Sequence, residues 1–249
     1  MKKFFLASSL FLVFPLCKEA SPANDKDMRC RLAGRADDYT LALSWHPAFC
    51  EWKSGKKECR DRDRTQYQAR NFTLHGLWPN KNRCGKNYGF CRGSKKFSNF
   101  CQYESLRLSL RVKEDLARVM PSARAGTCLE RYQWFKHGGC ETEWNVEEYY
   151  AISITLTDEF NRVAGPLMAR STGGTVKESD FFRVIDAAFG RDAHKRLQLK
   201  CRKGDLVDLY IKLPPSIGKG GSLRNLIQQA EPVFRSNCGG RFKVDAIDD

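Results

Sequence analysis

The chain has 249 residues, 41% of them hydrophobic, with 11 cysteines and a formal net charge of +14. Beyond the amino terminus no stretch approaches the roughly twenty apolar residues of a membrane helix, and no repeat, linker or low-complexity block interrupts it, which excludes membrane-spanning, repeat and disordered architectures. The excess of Lys and Arg suits a polyanionic partner, and equally a need for solubility or for anionic surfaces.

Residues 1–23 read as a secretory signal. Lys2 and Lys3 precede an apolar run from Phe4 to Leu16, and Ser21-Pro22-Ala23 offers small residues for cleavage. Leu16 is a poor match to the small residue that a lipoprotein site needs before Cys17. Removing the signal leaves a net charge of about +12 on about 226 residues, enough for one domain, 24–249, with a sizeable core. Ten cysteines then remain, an even number in an exported chain. That reads as a disulfide framework and an oxidising compartment, periplasmic or secreted. The C-x-x-C and H-x-x-x-H spacings of zinc sites do not occur, so no metal and no cofactor is expected, and the protein is expected to be a monomer.

In chain order, Tyr39 to Trp45 and Phe72 to Trp78 are short β-type runs. A helix is predicted from about Tyr103 to Met120, ended by Pro121. A second runs from about Val146 to Val163, opened by the capping-box pair Asn145 and Glu148. A third, from about Asp180 to Phe189, stops at Gly190. Val207, Leu209 and Ile211 alternate with Asp208, Tyr210 and Lys212 as a half-buried strand should. Strands and helices are mixed without the regular alternation of a parallel sheet, so the predicted class is α+β: a central antiparallel sheet flanked by helices, disulfide-stapled, in a single domain.

Of the four histidines, two stand before a glycine and beside large aromatics, in Thr73-Leu74-His75-Gly76-Leu77-Trp78-Pro79 and Tyr132-Gln133-Trp134-Phe135-Lys136-His137-Gly138-Gly139-Cys140. Taken alone, each would be a packing histidine. In the second segment, Tyr132, Gln133, Lys136 and His137 project from one side of a helix, with 132 over 136 and 133 over 137, whereas a strand would split them. Gly138 and Gly139 supply the stop. Two imidazoles and a lysine can cleave RNA without a metal.

These two segments resemble the active-site segments of the ribonuclease T2 family. Leu43-Ser44-Trp45-His46-Pro47-Ala48-Phe49-Cys50 resembles the first strand of its exported bacterial members, and the resemblance spans about Tyr39 to Cys238. It implies an endoribonuclease acting on RNA and leaving 2′,3′-cyclic phosphates. That chemistry needs a base for the ribose 2′-hydroxyl, an acid for the departing 5′-oxygen, and positive charge for the crowded phosphorane. By resemblance His137 is the base, His75 the acid, and Lys136, with Gln133, the stabilising group. The resemblance also pairs Cys50 with Cys59, Cys84 with Cys140 and Cys201 with Cys238. Spacing leaves the pairing of Cys30, Cys91, Cys101 and Cys128 open.

The second segment departs from the family pattern, which often carries His-Glu where this chain has Tyr132-Gln133. A carboxylate there would raise the pKa values of the neighbouring lysine and histidine; Gln133 cannot. Gln133 and Tyr132 can still donate hydrogen bonds to a phosphoryl oxygen, so activity with a shifted pH profile is expected. Glu130, one turn before Gln133, is a possible substitute carboxylate. Trp45, Trp78 and Tyr132 are candidate stacking faces for nucleobases, with Phe49 beside them and His46 as a further site candidate. His194, among Arg191, Lys195 and Arg196, reads as solvated. The alternative function is a relative with impaired chemistry that binds RNA or a protein partner. Incubation with RNA separates the two.

Overall fold

A computed structural model describes residues 28–60, 63–218 and 220–247, so the segment read as a signal, 1–23, lies outside the described residues. The frame is a sheet in which β1 (Asp38–Ser44) lies between β2 (Thr73–Asn80) and β5 (Asp205–Leu213), both antiparallel to it, with β4 (Leu197–Arg202) beyond β5. The edges make it mixed rather than wholly antiparallel: β6 (Arg235–Ser236) runs parallel to β4, and β7 (Arg241–Lys243) parallel to β5 while pairing with β3 (Thr175–Lys177). No helix among the described residues is long and apolar enough to cross a membrane.

The sheet has one apolar and one polar face. Register aligns Leu77, Leu41 and Ile211 in one row and Leu74, Leu43 and Leu209 in another, all essentially buried. Leu74 and Leu77 are three residues apart, and on a regular strand they would point to opposite faces. They share a face because the β1–β2 ladder shifts register: Ala42 pairs with Gly76 and Leu43 with Leu74, so His75 is the extra residue of a bulge. A second shift in the β4–β5 ladder, between Cys201 opposite Leu206 and Lys200 opposite Asp208, leaves Val207 unpaired there. The buried face of β5 is therefore Leu206, Leu209, Ile211 and Leu213, not the strict alternation from Val207 that the sequence suggests.

The apolar face packs on a long helix, α5 (Val146–Arg170), opened by the expected Asn145–Glu148 capping box. It continues past the expected end at Val163 and through Pro166, with Tyr149, Leu156, Phe160, Ala164 and Met168 buried. It grips β2 at two points. The Asn161 side chain accepts from the Phe72 N–H (2.9 Å) and donates to the Phe72 carbonyl (2.8 Å), and the Tyr149 hydroxyl donates to the Leu77 carbonyl (2.7 Å).

The remaining helices are α1 (His46–Lys53), α2 (Leu110–Val119), α3 (Pro121–Ala125), α4 (Leu129–Lys136), α6 (Glu178–Phe189) and α7 (Leu223–Gln229). The helix predicted from Tyr103 begins only at Leu110, because Ser109 caps it and Tyr103 is drawn into an aromatic contact with Phe135 at 5.1 Å. Pro121 ends α2 and, at the first position of α3, starts the next helix.

Five disulfides staple the fold. Cys50–Cys59 and Cys201–Cys238 form as expected, but Cys84 does not pair with Cys140: the bonds are Cys30–Cys84, Cys91–Cys140 and Cys101–Cys128. The loop after β2 runs along the end of α4, where the Phe90 N–H donates to the Lys136 carbonyl (2.8 Å), and this brings Cys91 to Cys140. The Gly89 N–H meets the Cys30 carbonyl at 3.2 Å, on the side where Cys84 is bridged.

Asn161→Ala removes both side-chain bonds from the buried backbone of Phe72 at the entry to β2. Urea unfolding is expected to report a loss of roughly 2–4 kcal/mol, as for two buried backbone groups left without partners; a loss below about 0.5 kcal/mol, the level of an ordinary surface change, would mean this clamp is dispensable.

Candidate active site

The site lies where the polar face of the sheet meets the end of α4. Short-range chemistry builds α4 poorly: Cys128, its N-cap, has a left-handed backbone (φ 62°) and no side-chain cap. Tertiary ties hold it instead, through the Cys101–Cys128 bond and the Leu129 N–H donating to Ser122 Oγ at 3.1 Å. Its last turn closes with the His137 N–H on the Gln133 carbonyl (2.9 Å), so His137 is the C-cap rather than a helical residue. A Cβ at Gly138 would lie 2.3 Å from Cε3 of Trp134, so only glycine lets the chain turn this closely over that ring.

Gln133 and His137 are buried, while Tyr132 and Lys136 form the rim, with Lys136 Nζ 5.5 Å from the Tyr132 ring centre. The four residues expected on one helical side are thus brought together, in an inner and an outer row. Trp78 joins the inner row to β2. Its Nε1–H donates to Gln133 Oε1 at 2.7 Å, its ring stacks on His137 (5.2 Å, 22°), and it meets His75 edge to face (5.2 Å, 82°). Two histidines 62 positions apart in sequence therefore share one indole. Tyr210 packs on the same indole at 5.6 Å, so Trp78 serves as a platform for the imidazoles. Gly76 is the gap that admits this arrangement: a Cβ there would lie 2.3 Å from Gln133 Oε1 and 2.6 Å from Trp78 Nε1.

The two imidazoles have different electrostatic surroundings. Burial pushes the His137 pKa well below its ordinary value, and the positive charges of Lys136 and His75 push it further down. Its Nδ1 has no hydrogen-bond partner among the described residues. Burial also lowers His75, but there the negative charge of Asp208 opposes the shift, with Lys136 acting the other way. Partial burial lowers Lys136, and no carboxylate forms an ion pair with it among the described residues.

Asp208 also acts on this cluster, and sequence reasoning did not place it there. It accepts from Ser44 Oγ at 2.6 Å and faces the Tyr210 hydroxyl at 3.4 Å. The alternation of β5 had marked it as a polar-face residue. Its proximity to His75 arises only through β1, where Ser44 pairs with Asp208 on one side and Thr73 on the other.

The other candidates divide between the core, the surface and a cavity beside His75. Trp45 is fully buried, packs against Phe72 and donates to the Asp245 carbonyl (2.8 Å), so it offers no face to a substrate and belongs to the core. Glu130 contributes nothing to the charge around His137 or Lys136; its carboxyl is raised by burial and lies 3.7 Å from Arg131. His194 is not solvated as expected, but bonds to Asp186 (2.7 Å) and stacks on Phe182. His46, Cys50 and Cys59 gather their ligand atoms within 4.8 Å, but the two sulfurs are bonded to each other and offer no thiolate. A cavity of about 330 Å³ opens beside His75, and the candidates His46, Phe49 and Tyr132 line it, with Phe100, Lys53 and Lys56. Tyr132 stacks on Phe100 at 4.4 Å and 15°, which fixes its ring at the mouth.

A family model described as "Ribonuclease T2 family" matches residues 36–213, most of the described chain and both histidine segments. The chain belongs to the Ribonuclease T2 family. It is 28% identical to Ribonuclease I of Escherichia coli (strain K12) over 270 aligned positions, covering 98% of each chain, and 35% identical to a ribonuclease of Aeromonas hydrophila over 108, covering 43% of this chain and 39% of that one. In fold it is similar to an RNase-related protein from Calystegia sepium (TM-score 0.56, 20% identity, 86% of this chain and 99% of that one). It is likewise similar to ribonuclease MC1 from bitter gourd seeds (TM-score 0.54, 19% identity, 83% and 99%).

Gly76→Ala places a methyl group against the Trp78–Gln133 bond. The family's ribonuclease activity is expected to fall by at least tenfold, with the fold retained but destabilised by about 1–3 kcal/mol as for overpacking. Wild-type turnover in a folded Gly76→Ala protein would show that the close approach is not needed.

Proposed function

We propose that this endoribonuclease cleaves single-stranded RNA without a metal, by in-line attack of the ribose 2′-hydroxyl on the adjacent phosphorus. His137 accepts the hydroxyl proton as the new P–O2′ bond forms. His75 gives a proton to the 5′-oxygen as the P–O5′ bond breaks, leaving a 2′,3′-cyclic phosphate and a free 5′-hydroxyl. Lys136 stabilises the charge on the phosphorane oxygens. Gln133 Oε1 is committed to Trp78, so its amide hydrogens are the end that can reach a phosphoryl oxygen.

One observation carries this assignment of roles: two imidazoles on a single indole differ in their charged neighbours. Burial and two positive neighbours keep His137 neutral, as a base must be. The carboxylate near His75 favours the protonated form that an acid needs. Both imidazoles are lowered and only His75 has a carboxylate opposing the shift, so the range in which His137 is neutral and His75 charged falls on the acidic side of the ordinary imidazole value of about 6.5. Of the stacking faces read from the sequence, Tyr132 lines the cavity beside His75. Its flat stack with Phe100 suits a base without selecting one. Five disulfides support an oxidising compartment, and with the signal reading of residues 1–23 they favour the periplasm or secretion.

RNA incubated with the protein in EDTA is expected to yield 2′,3′-cyclic phosphate ends. His75→Ala and His137→Ala should each lower the rate by at least a hundredfold, the usual range for losing a general acid or base. No cleavage at any pH between about 4 and 8 would overturn the enzymatic mechanism, and a fully active His137→Ala protein would remove the base from this position.

Asp208→Asn removes the charge that holds the His75 pKa up, so that pKa should fall. The alkaline limb of the kcat/KM profile is then expected to move to lower pH, while the acid limb, set by His137, stays in place. A profile with both limbs unmoved would show that Asp208 does not act on His75.

A further inference from the structure

Away from the catalytic cleft, two cavities of about 540 and 570 Å³ share Arg70, Pro166 and Ala169 in their walls, which makes them one continuous groove. The residues that charge its rim are all arginines: Arg64, Arg70, Arg118, Arg162 and Arg170. Its one acidic residue, Asp158, is held by both Nη atoms of Arg118 at 2.9 and 2.8 Å, so that pair is neutral. Arg64 donates to the Ile247 carbonyl (3.1 Å). Arg70, Arg162 and Arg170 are exposed, and for Arg162 the nearest carboxylate, Glu159, lies at 3.9 Å. Arg162, Pro166, Ala169 and Arg170 occupy successive turns of one face of α5. Between the charges the lining is uncharged and includes the small residues Gly165 and Ala169 beside Pro166.

We propose that this groove is a second RNA-binding surface, which holds the phosphates of the strand beyond the nucleotides being cleaved. The proposal rests on RNA being the substrate and deepens that reading. Guanidinium forks fit phosphate oxygens bidentately and are more weakly hydrated than ammonium groups. Arginine throughout therefore points to phosphate recognition rather than to solubility alone. The groove is also within reach of the same strand. Arg70 is five residues before His75, so their Cα atoms are at most about 18 Å apart, a span that a few nucleotides cover. A dinucleotide in the cleft would not reach the groove, whereas a longer strand would.

The test compares the full-length wild type with the triple variant Arg70→Gln, Arg162→Gln, Arg170→Gln, none of which is placed in the catalytic machinery. Binding is measured with a 2′-O-methyl oligoribonucleotide long enough to leave the cleft on both sides. It lacks the attacking hydroxyl, so binding is read whether or not the catalytic assignments hold. Cleavage of a dinucleoside phosphate is measured in parallel. The variant should bind the long strand roughly tenfold more weakly at low salt, with a slope of log affinity against log salt shallower by about two, as expected when three phosphate contacts to a single strand are lost. Dinucleoside cleavage should be unchanged.

Equal affinity and slope for the long strand would overturn the proposal, as would an equal loss on the dinucleoside. Vesicles of anionic phospholipid that bind the wild type but not the variant, with RNA binding unaltered, would assign the groove to a lipid surface and overturn it too. A failure of the wild type to cleave the dinucleoside counts against the catalytic mechanism, and the non-cleavable strand still decides the groove. If the triple variant does not fold, Arg162→Gln and Arg170→Gln, single changes on an exposed helix face, carry the same comparison at smaller amplitude.

Discussion

The hydrogen bond from Trp78 Nε1 to Gln133 Oε1 joins the two halves of the site. Trp78 comes from a strand and Gln133 from a helix more than fifty residues later, and at 2.7 Å the contact fixes the distance between the elements that carry His75 and His137. A neutral bond of this kind contributes only about 1 kcal/mol to stability, so its value here is geometric. It keeps the indole flat against His137 and edge-on to His75. It exists because residue 76 has no side chain and because Asn161 and Tyr149 of α5 hold β2 from the opposite face of the sheet. The bridge expected between Cys84 and Cys140 to set the same distance does not form. Cys91–Cys140 does that work, since it too ties the loop after β2 to the end of α4.

The bulge at His75 links fold to chemistry. Without it, Leu74 and Leu77 could not both reach the core, and the residue between them would take its place in the ladder like any other. With it, the apolar face is complete and the extra residue, free of regular pairing with β1, is the histidine. Bulges re-aim side chains and are common beside active sites. Here the packing requirement of two leucines and the placement of His75 are met by one irregularity. Gly76, paired with Ala42 directly after the bulge, then opens the space into which Gln133 fits.

Where the physics is local, the sequence was readable. The Asn145 capping box, the strands around Leu43 and Leu77 and the stop at Gly190 all depend on neighbours within a turn or two, and all formed. Where tertiary contacts decide, it was not. The two bulges depend on which strands pair and in what register. Tyr103 leaves its predicted helix for an aromatic cluster, and α5 runs through Pro166 because its buried face continues to Met168. Trp45 looked like a site residue because it neighbours a motif, yet its indole is needed between Phe72 and the carboxy-terminal segment. Asp208 was visible as a polar residue on a strand, but a third strand had to be placed before its charge could be assigned to His75.

The departure at Tyr132-Gln133 takes on a different meaning in this setting. A carboxylate at position 133 would sit beside Lys136 and His137 and raise both pKa values, stabilising their charged forms. In its absence burial dominates, and both groups are depressed. The lowered pKa suits the role proposed for His137, because the imidazole stays neutral further into the acid range. The lysine ordinarily titrates near 10.4 and can lose part of that margin while remaining charged at neutral pH. His75, the proposed acid, would be impaired by the same depression, and it is the group with a carboxylate nearby, from β5 rather than from the helix. The carboxylate of this site thus stands on the His75 side of the indole and not on the His137 side, which separates the two imidazoles in the direction that the proposed proton transfer requires.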